Sequence, residues 1–357
     1  MSEANRGAWG VDPPQRAGVS VLVIRAGRVS ALIERRTAVT SIALAGVTLA
    51  LAFVALCRGN SWDPPGEVLA GLAGYGDAAL VVQEWRLPRV AGALVFGAAL
   101  GTAGAIFQNV TRNALGSPDV IGLDAGAYTG VLIAITVFGG TAAGLAAGSL
   151  AGGLASAAAV YALSLRSGLS GLRLVVIGIA VNAMLTALNS WIVLLAQLEV
   201  ATAATAWSAG SLNGLDWDEV RLPFLILAAL GLLAAALSRT TGQAALGDDV
   251  AAASGVALNR YRLLIILAGV GLTATVTSAT GPIVFVALAA PQIGRRVAGA
   301  AGTPALPAAL TGALLLLAAD LAAQTVVAPV QLPVGVVTTV IGGVYLSWLL
   351  IMEMRRP

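Results

Sequence analysis

The sequence predicts an all-α, polytopic membrane protein with about ten transmembrane helices, and three observations carry this prediction. Hydrophobic residues fill 58% of the 357 positions, charged residues only 10%, and mean hydropathy is +0.90. A soluble domain is about 25% charged, so this composition cannot build a water-exposed surface. The apolar residues fall into runs of about 20, the length that a helix needs to cross a bilayer. Most of the basic residues fall in alternate connecting segments.

The predicted spans together form one transmembrane domain over residues 39–352. Residues 1–38 hold six arginines and are expected to be a cytoplasmic tail, because a basic segment this long does not fit a cleaved signal peptide. Residues 353–357 are expected to be a short cytoplasmic C-terminus. The spans are placed at 39–57, 88–108, 120–138, 141–165, 172–196, 221–238, 262–280, 283–299, 305–325 and 333–352.

Arginine placement predicts the orientation of these spans. With the N-terminus inside, 16 of the 20 arginines fall on the cytoplasmic side, and those left outside are Arg58, Arg86, Arg89 and Arg221. Cytoplasmic loops of membrane proteins carry an excess of basic residues. The pattern therefore predicts an even number of spans with both termini in the cytoplasm.

Two residue types are missing from the chain, lysine and histidine. Without lysine there is no GxxxxGK[ST] phosphate loop, so any ATP and Mg²⁺ must be bound by a partner subunit. Without histidine, haem ligation, most zinc sites and histidine proton relays are disfavoured. The single Cys57 cannot form an internal disulfide. We expect no metal or cofactor on this chain, and its apolar character argues against binding of nucleic acid.

Four segments carry recognisable motifs in a fixed order. They are RLPRVAGALVFGAALGTAGAIFQNVTRNALGSPDVIGLDAGA at 86–127, LGDDVAAASGV at 246–256, GPIVFVALAAPQIGRR at 281–296 and LPVGVVTTVIGG at 332–343. Together they resemble the FecCD-type permeases, the membrane subunits of ABC importers for iron-siderophores, haem and vitamin B12. The resemblance covers about residues 40–352 and implies the type II ABC importer permease fold, with ten helices per subunit.

This resemblance implies the function and the partners. The chain is expected to translocate a ferric siderophore across the bacterial inner membrane, most like the ferric enterobactin-type permeases, with haem or cobalamin as alternative cargo. An ATPase dimer is expected inside, a siderophore-binding protein outside, and a second permease subunit beside it. An ion-coupled secondary transporter is disfavoured, because Asp124 and Asp320 lie near predicted span ends. An intramembrane enzyme is disfavoured because the usual bases are absent.

The polar stretch at 239–262, between the sixth and seventh spans, is the predicted cytoplasmic coupling loop. Carboxylates at Asp248 and Asp249 suit the positive end of a short helix, and Gly255 can end that helix in the left-handed conformation. The segment VALNRYR is expected to form a second short helix leading into the seventh span. By resemblance, the residues that couple to the ATPase are Gly247, Asp248, Asp249, Ala252, Gly255 and Val256.

Two further groups of residues are candidate sites. Arg86 and Arg89, at the outer end of the second span, are expected to dock the binding protein, the alternative being that they only reach lipid headgroups. Polar side chains on one face of the fifth span either line a translocation path or bond neighbouring helices; they are Asn182, Thr186 and Asn189. A buried carboxylate at Asp320 costs about 2.5–3.5 kcal/mol in a membrane, so it should have a partner or face water.

Three positions depart from the pattern of the family. Ala114 stands where proline is usual, which removes a rigid element from the turn after the second span. Gln292 stands where many members have histidine, and Gln324 stands where many have arginine. The last change suggests that an outer docking arginine is missing, which slightly favours a heterodimer of two similar permeases over a homodimer.

Overall fold

The structure is a computed structural model that describes residues 21–26, 29–59, 62–165, 171–300 and 302–354. It begins with a β-hairpin, in which β1 (Val21–Ala26) pairs antiparallel with β2 (Val29–Glu34). This hairpin falls in the expected tail, whose first 20 residues lie outside the described part. The first helix then starts at Arg35 rather than at residue 39.

The other secondary-structure elements of the described chain are helices, and they occur in the predicted order. The α-helices are α1 (Arg35–Cys57), α2 (Pro65–Leu72), α3 (Leu87–Thr111), α4 (Leu123–Phe138), α5 (Ala142–Leu165), α6 (Gly171–Leu195), α7 (Leu198–Ser208), α8 (Trp217–Ala236), α9 (Ser238–Ala245), α10 (Asp248–Ala253), α11 (Leu258–Thr280), α12 (Val286–Ala298), α13 (Ala305–Thr325) and α14 (Val334–Met354). A π-helical turn at Val81–Arg86 leads into α3, and a 3₁₀ turn at Pro118–Ile121 precedes α4.

Apart from this hairpin, the prediction of an all-α membrane protein is confirmed over the described residues, but a count of ten full-length spans is not. Within the described residues, seven helices are long and apolar enough to cross a bilayer. Of the other predicted spans, α4 has 16 residues and α12 only 13, and the apolar part of α14 is also short. At 1.5 Å per residue, α12 covers about 20 Å, less than the hydrocarbon core of about 30 Å.

The helix α3 forms the centre of the bundle, and small residues allow its close packing. The backbone of Gly97 lies against that of Gly312 in α13, Gly101 lies against Ala308, and Gly104 lies against Ala287 in α12. A Cβ atom at any of these three glycines would collide with a backbone carbonyl of the neighbouring helix. Such contacts hold helices together where lipid provides no hydrophobic drive for association. They make α3, α12 and α13 a closely packed unit.

The segment from residue 112 to 122 is more than the simple turn that the sequence suggested. It leaves the end of α3 and runs back among the helices, where Gly122 lies against Asn182, near the middle of the 25-residue α6. The buried hydroxyl of Ser156 in α5 donates to the Gly122 carbonyl at 2.9 Å. The predicted span at 120–138 therefore begins part-way across the bundle, which explains why α4 is short. Non-helical backbone is tolerated at this depth only when protein covers it.

A second irregular segment shortens α12. Residues 281–285 are not helical, and Phe285 has a left-handed φ of 72°, which is unusual for a bulky residue. Its ring packs directly onto Gly342 of α14, where any side chain would collide with it. The predicted span at 283–299 thus becomes a helix only from Val286 onward.

Candidate functional site

The two ends of the bundle differ, and each holds candidate residues. We call the end that carries residues 239–262 the loop end, and the end that carries Arg86 and Arg89 the opposite end. The helices α3, α8 and α12 run toward the loop end, and α1, α6, α11 and α13 run away from it.

The loop at 239–262 is a compact pair of short helices. Gly247, with φ of 122°, separates α9 from α10. Gly255 has φ of 83°, and the next amide, of Val256, donates to the Ala251 carbonyl at 3.0 Å. The predicted left-handed end of the helix at Gly255 is therefore confirmed. The predicted second short helix from VALNRYR is wrong, because these residues lead straight into one continuous α11.

The solvent-exposed surface of this loop includes several apolar side chains. Leu246 is 72% exposed and Val250 is 50% exposed, and Ala252 and Ala253 are exposed beside them. Among the residues of α10, only Ala251 is buried. Exposed apolar residues on a polar connecting segment mark a protein contact more often than a solvated linker. Small side chains also keep the surface low enough to enter a cleft.

Asp248 connects this loop to two long helices. Its Oδ1 accepts a hydrogen bond from Arg112 Nη2 at 2.8 Å, and its Oδ2 accepts one from Arg262 Nη2 at 2.6 Å. Arg112 follows α3 in the left-handed conformation (φ 51°), and Arg262 lies in the first turns of α11. The hydrogen bond from Arg262, and secondarily the charges of both arginines, lower the pKa of Asp248. The carboxylate is therefore ionised at neutral pH.

Two of the family departures prove to be in contact with each other. The side chain of Gln292, in α12, donates from Nε2 to the Ala114 carbonyl at 2.8 Å. The turn is also held by Asn113, whose Oδ1 accepts from the Leu115 amide at 2.9 Å. Ala114 lacks the fixed φ of proline, and the bond from Gln292 secures the same backbone from outside.

At the opposite end, Arg86 is held inside this chain. Its Nη2 lies 2.6 Å from Asp63 Oδ2, and its Nη1 donates to the Leu56 carbonyl at 2.9 Å. Only 12% of the Arg86 side chain is exposed. The sequence placed this arginine at an outer interface, and the structure adds that its charge already has an acidic neighbour.

Arg89 is paired more completely. Its Nε and Nη2 donate to both carboxylate oxygens of Asp320 at 2.9–3.2 Å, and its Nη1 donates to Gln331 at 3.1 Å. Gln324 donates to the same carboxylate at 2.8 Å. The Asp320 side chain has no exposed surface. The expectation that Asp320 needs a partner is confirmed, and Gln324 faces this buried pair rather than an outer surface.

A cavity of about 320 Å³ with a mixed polar and apolar lining opens beside these arginines. Its lining includes Arg58, Arg86, Arg89 and Gln331. Large exposed side chains surround this end, namely Trp62, Leu69, Tyr75, Leu80 and Trp85. The opposite end therefore combines a recess lined by arginines, two of which are paired with aspartates, with exposed aromatic surface.

The polar residues of α6 do not act as one group. Asn189 is buried, donates to the Ala125 carbonyl at 2.9 Å and accepts from Thr129 at 2.7 Å, so it bonds α6 to α4. Thr186 is exposed on the surface of the bundle, and Asn182 lies half-buried against Gly122. For Asn189 the geometry is that of interhelical bonding. A role of the three in a translocation path stays a prediction.

Sequence reasoning missed the partners that these sites depend on. Asp63, Gln331 and Arg262 were not singled out, and Arg112 was noted only as part of a motif. The only local signal was the density of polar residues after α3 and before α11. Arg112 and Asp248 are 136 positions apart in the sequence, and Arg89 and Asp320 are 231 positions apart. A single sequence does not indicate that residues so far apart are in contact. Among the described residues, no group of three or more His, Cys, Asp or Glu side chains could hold a metal ion.

Comparison with known proteins identifies the family that has this architecture. Residues 47–352 match the FecCD transport family. The chain is 46% identical over 326 residues to the ferric enterobactin transport system permease protein FepG of Escherichia coli (strain K12), covering 91% of this chain and 99% of that protein. It is 34% identical over 315 residues to the iron(3+)-hydroxamate import system permease protein FhuG of Bacillus subtilis (strain 168), covering 84% and 92%.

A solved structure of an ABC transporter has a similar fold. A metal-chelate type ABC transporter in an inward-facing conformation superposes with a TM-score of 0.76 at 26% identity, covering 87% of this chain and 98% of that one. The chain thus has the fold of an ABC importer permease. It belongs to the FecCD transport family, and it is a multi-pass inner-membrane permease subunit in a system whose ATPase activity resides on a separate subunit.

Proposed function

We propose that this chain carries a ferric siderophore across the cytoplasmic membrane. The observation that supports this most is the 46% identity to a ferric enterobactin permease, which extends over 99% of that protein. Other relatives, such as the iron(3+)-hydroxamate permease, also act on chelated iron. Haem and cobalamin are the alternative cargoes, and the binding protein selects among them.

The test is uptake by the complete transporter in proteoliposomes. The chain is reconstituted with its ATPase and its binding protein, and radioactive iron is supplied as ferric enterobactin, as ferric hydroxamate or as free iron, with haem and cobalamin as competing cargo. We expect ATP-dependent uptake of one ferric siderophore. Uptake by the chain alone under a proton or sodium gradient would contradict the proposal and support a secondary transporter.

We propose that the loop end faces the cytoplasm and the opposite end faces outward. The basic residues near the loop end support this, since Arg112, Arg239, Arg260 and Arg262 lie there and cytoplasmic segments favour arginine. In a Cys57→Ser background, Ala257→Cys should react with a membrane-impermeant thiol reagent only in inverted vesicles. Ala73→Cys, at the opposite end, should react only in right-side-out vesicles. The reversed pattern would overturn this orientation.

We propose that the loop at 239–262 couples this chain to the ATPase dimer, and that the coupling residues are Gly247, Asp248, Asp249, Ala252, Gly255 and Val256. The exposed apolar surface of Leu246, Val250 and Ala252 supports a protein contact there. Ala252→Arg should abolish uptake and co-purification of the ATPase, because a bulky charge would block the seat. Ala252→Ser is the control and should behave as the wild type. Normal transport by Ala252→Arg would show that the ATPase docks elsewhere.

We propose that the siderophore-binding protein docks at the opposite end, with Arg86 and Arg89 contributing positive charge. The recess that they line and the exposed aromatic residues around it support this site. Arg86→Gln should weaken capture of the binding protein severalfold and make it less sensitive to salt, since salt screens charge attraction between the two proteins. Arg221→Gln, at the same end, is the matched control. Unchanged affinity for Arg86→Gln would remove Arg86 from the docking site.

We propose that a second permease subunit completes the path, and that it is a similar but different chain. The exposed surface of α6, which includes Thr186, Met184 and Trp191, is available for such a contact. Co-expression of two differently tagged copies gives the test. Recovery of both tags in one complex would support a homodimer, and recovery of one tag with a second permease would support the heterodimer.

A further inference from the structure

The strongest unassigned feature of the molecule is the ion-pair cluster of Arg112, Asp248 and Arg262, which we call the clasp. Each oxygen of the Asp248 carboxylate has its own guanidinium, at 2.8 Å from Arg112 and 2.6 Å from Arg262. Arg112 also donates to the Ala244 carbonyl at 3.3 Å. The clasp therefore touches α9, α10, the end of α3 and the start of α11.

The clasp joins a lightly packed element to heavily packed ones. In α10 only Ala251 is buried, so few other contacts fix this helix to the bundle. By contrast, α3 is packed backbone to backbone against α12 and α13 through Gly97, Gly101 and Gly104. A displacement of α10 is transmitted to α11 through the backbone, because only Ser254–Ala257 separates the two helices. Among the contacts of the described residues, the ion pair of Asp248 with Arg112 joins α10 to the end of α3.

We propose that Asp248 is a positioning residue that makes the loop and α3 move together, so that closure of the ATPase is transmitted to the centre of the bundle. This rests on the proposed function, and it adds Arg112 and Arg262 to the coupling machinery. Without the clasp, the loop can follow the ATPase while α3 stays where it is. Hydrolysis of ATP then proceeds without movement of cargo.

The surroundings of the clasp give its side chains room to rearrange without loss of the fold. A small cavity of about 150 Å³ lies beside it, lined by polar groups that include Asn109, Thr241 and Tyr261. Tyr261 donates to Thr241 at 3.0 Å, which ties α9 to α11 independently of Asp248. The side chains of Arg112 and Asp248 are 56% and 44% exposed. Pairs this exposed add little to folding stability, so removing one charge should leave the fold intact.

The experiment uses the complete transporter and the substitution Asp248→Asn, which removes the charge and keeps the size. Two quantities are measured in the same proteoliposomes, ATP hydrolysed and radioactive ferric siderophore taken up. We expect uptake to fall about tenfold while the ratio of ATP hydrolysed to cargo moved rises at least fivefold. Asp248→Glu, which can still bridge two arginines, should restore the wild-type ratio.

Arg112→Gln tests the other side of the pair. It should raise the same ratio, and the double variant Arg112→Gln/Asp248→Asn should be no worse than Asp248→Asn alone, because the asparagine already removes the charge with which Arg112 pairs. Arg260→Gln is the matched control: it removes an exposed arginine at the start of α11, two positions from the clasp, and should leave the ratio at its wild-type value.

The outcomes separate the clasp from the proposed function. If the wild-type transporter shows no ATP-dependent uptake, the proposed function fails and the clasp fails with it. If the wild type transports and Asp248→Asn keeps the wild-type ratio, only the clasp is overturned. If Asp248→Asn loses the ATPase altogether, Asp248 belongs to the docking surface and the clasp is again overturned.

Discussion

The two ends of the bundle use the same chemistry, an aspartate held by arginine, at very different depths. At the opposite end, Arg89 and Asp320 are 14% and 0% exposed, and Gln324 and Gln331 complete their hydrogen bonds. At the loop end, the side chains of Arg112 and Asp248 are 56% and 44% exposed. Burial strengthens an ion pair and also makes its loss costly, because a lone buried charge has no water.

This difference indicates different roles. The buried pair joins α3 to α13 at the end where α3 begins, and glycines hold the same two helices together further along. It therefore belongs to a fixed frame. The exposed pair joins α3 to a short, lightly packed helix, where a weak and replaceable contact suits an element that moves. Arg89 and Arg112 lie near the two ends of the same helix, so α3 links the frame to the loop.

The largest expected effect comes from breaking the buried pair. Asp320→Asn leaves the Arg89 charge buried without a counterion, and loss of one partner of such a pair costs about 3–5 kcal/mol. The free energy of unfolding, measured by denaturant titration in detergent micelles, should fall by that amount. Asp218→Asn is the matched control, since Asp218 pairs with Arg221 at 3.2 Å on the exposed surface; it should change stability by less than about 0.5 kcal/mol.

A double substitution sharpens this prediction. Arg89→Met with Asp320→Leu removes both charges and fills the space with apolar side chains, so most of the lost stability should return. If Asp320→Asn unfolds at the wild-type denaturant concentration, the pair is not part of the frame. Reversing the charge of Arg89 would confuse a docking experiment with loss of stability, because a glutamate there would face Asp320.

The next effect concerns the glycines of the frame. Gly101→Ala would place a Cβ atom against the Ala308 carbonyl, and overpacking of this kind typically costs about 1–3 kcal/mol. Gly231→Ala in α8 is the control, since nothing lies within 4 Å of the position of its new Cβ atom. The same denaturant titration should separate the two variants. Equal stability would show that α3 and α13 are less closely packed than the structure indicates.

The sequence predicted features that local rules govern and missed those that depend on distant contacts. The turn at Gly255 was predictable because only a residue that tolerates positive φ ends a helix in this way. The shortening of α4 was not, because residues 112–122 become non-helical only where α5 and α6 can cover them through Ser156 and Asn182. Nor was the pairing of Arg89 with Asp320, since hydropathy places both residues near a membrane surface without saying that they meet.

The smallest expected effect is on the exposed pair at the loop end, and it tests the comparison directly. Arginine lowers the pKa of Asp248, so the charged form is favoured in the folded protein. A lowered pKa means that the stabilisation is present above the ordinary carboxyl value of about 3.9 and is lost only as pH falls through the lower folded value. Between pH 5.5 and 8 the loop should therefore not respond to pH. Salt should loosen it, because exposed pairs are worth about 0.2–1 kcal/mol and are screened.

Amide hydrogen exchange measures this response at both ends in one experiment. Raising NaCl from 0.05 to 0.5 M at pH 7 should lower protection of residues 247–256 by up to about fivefold, the equivalent of 1 kcal/mol, because the clasp weakens. Residues 320–325, around the buried pair, should keep their protection, since ions do not reach Asp320. Asp248→Asn should show the low protection at both salt concentrations, which assigns the effect to this carboxylate. An equal response of the two ends to salt would contradict the distinction between a fixed frame and a movable loop.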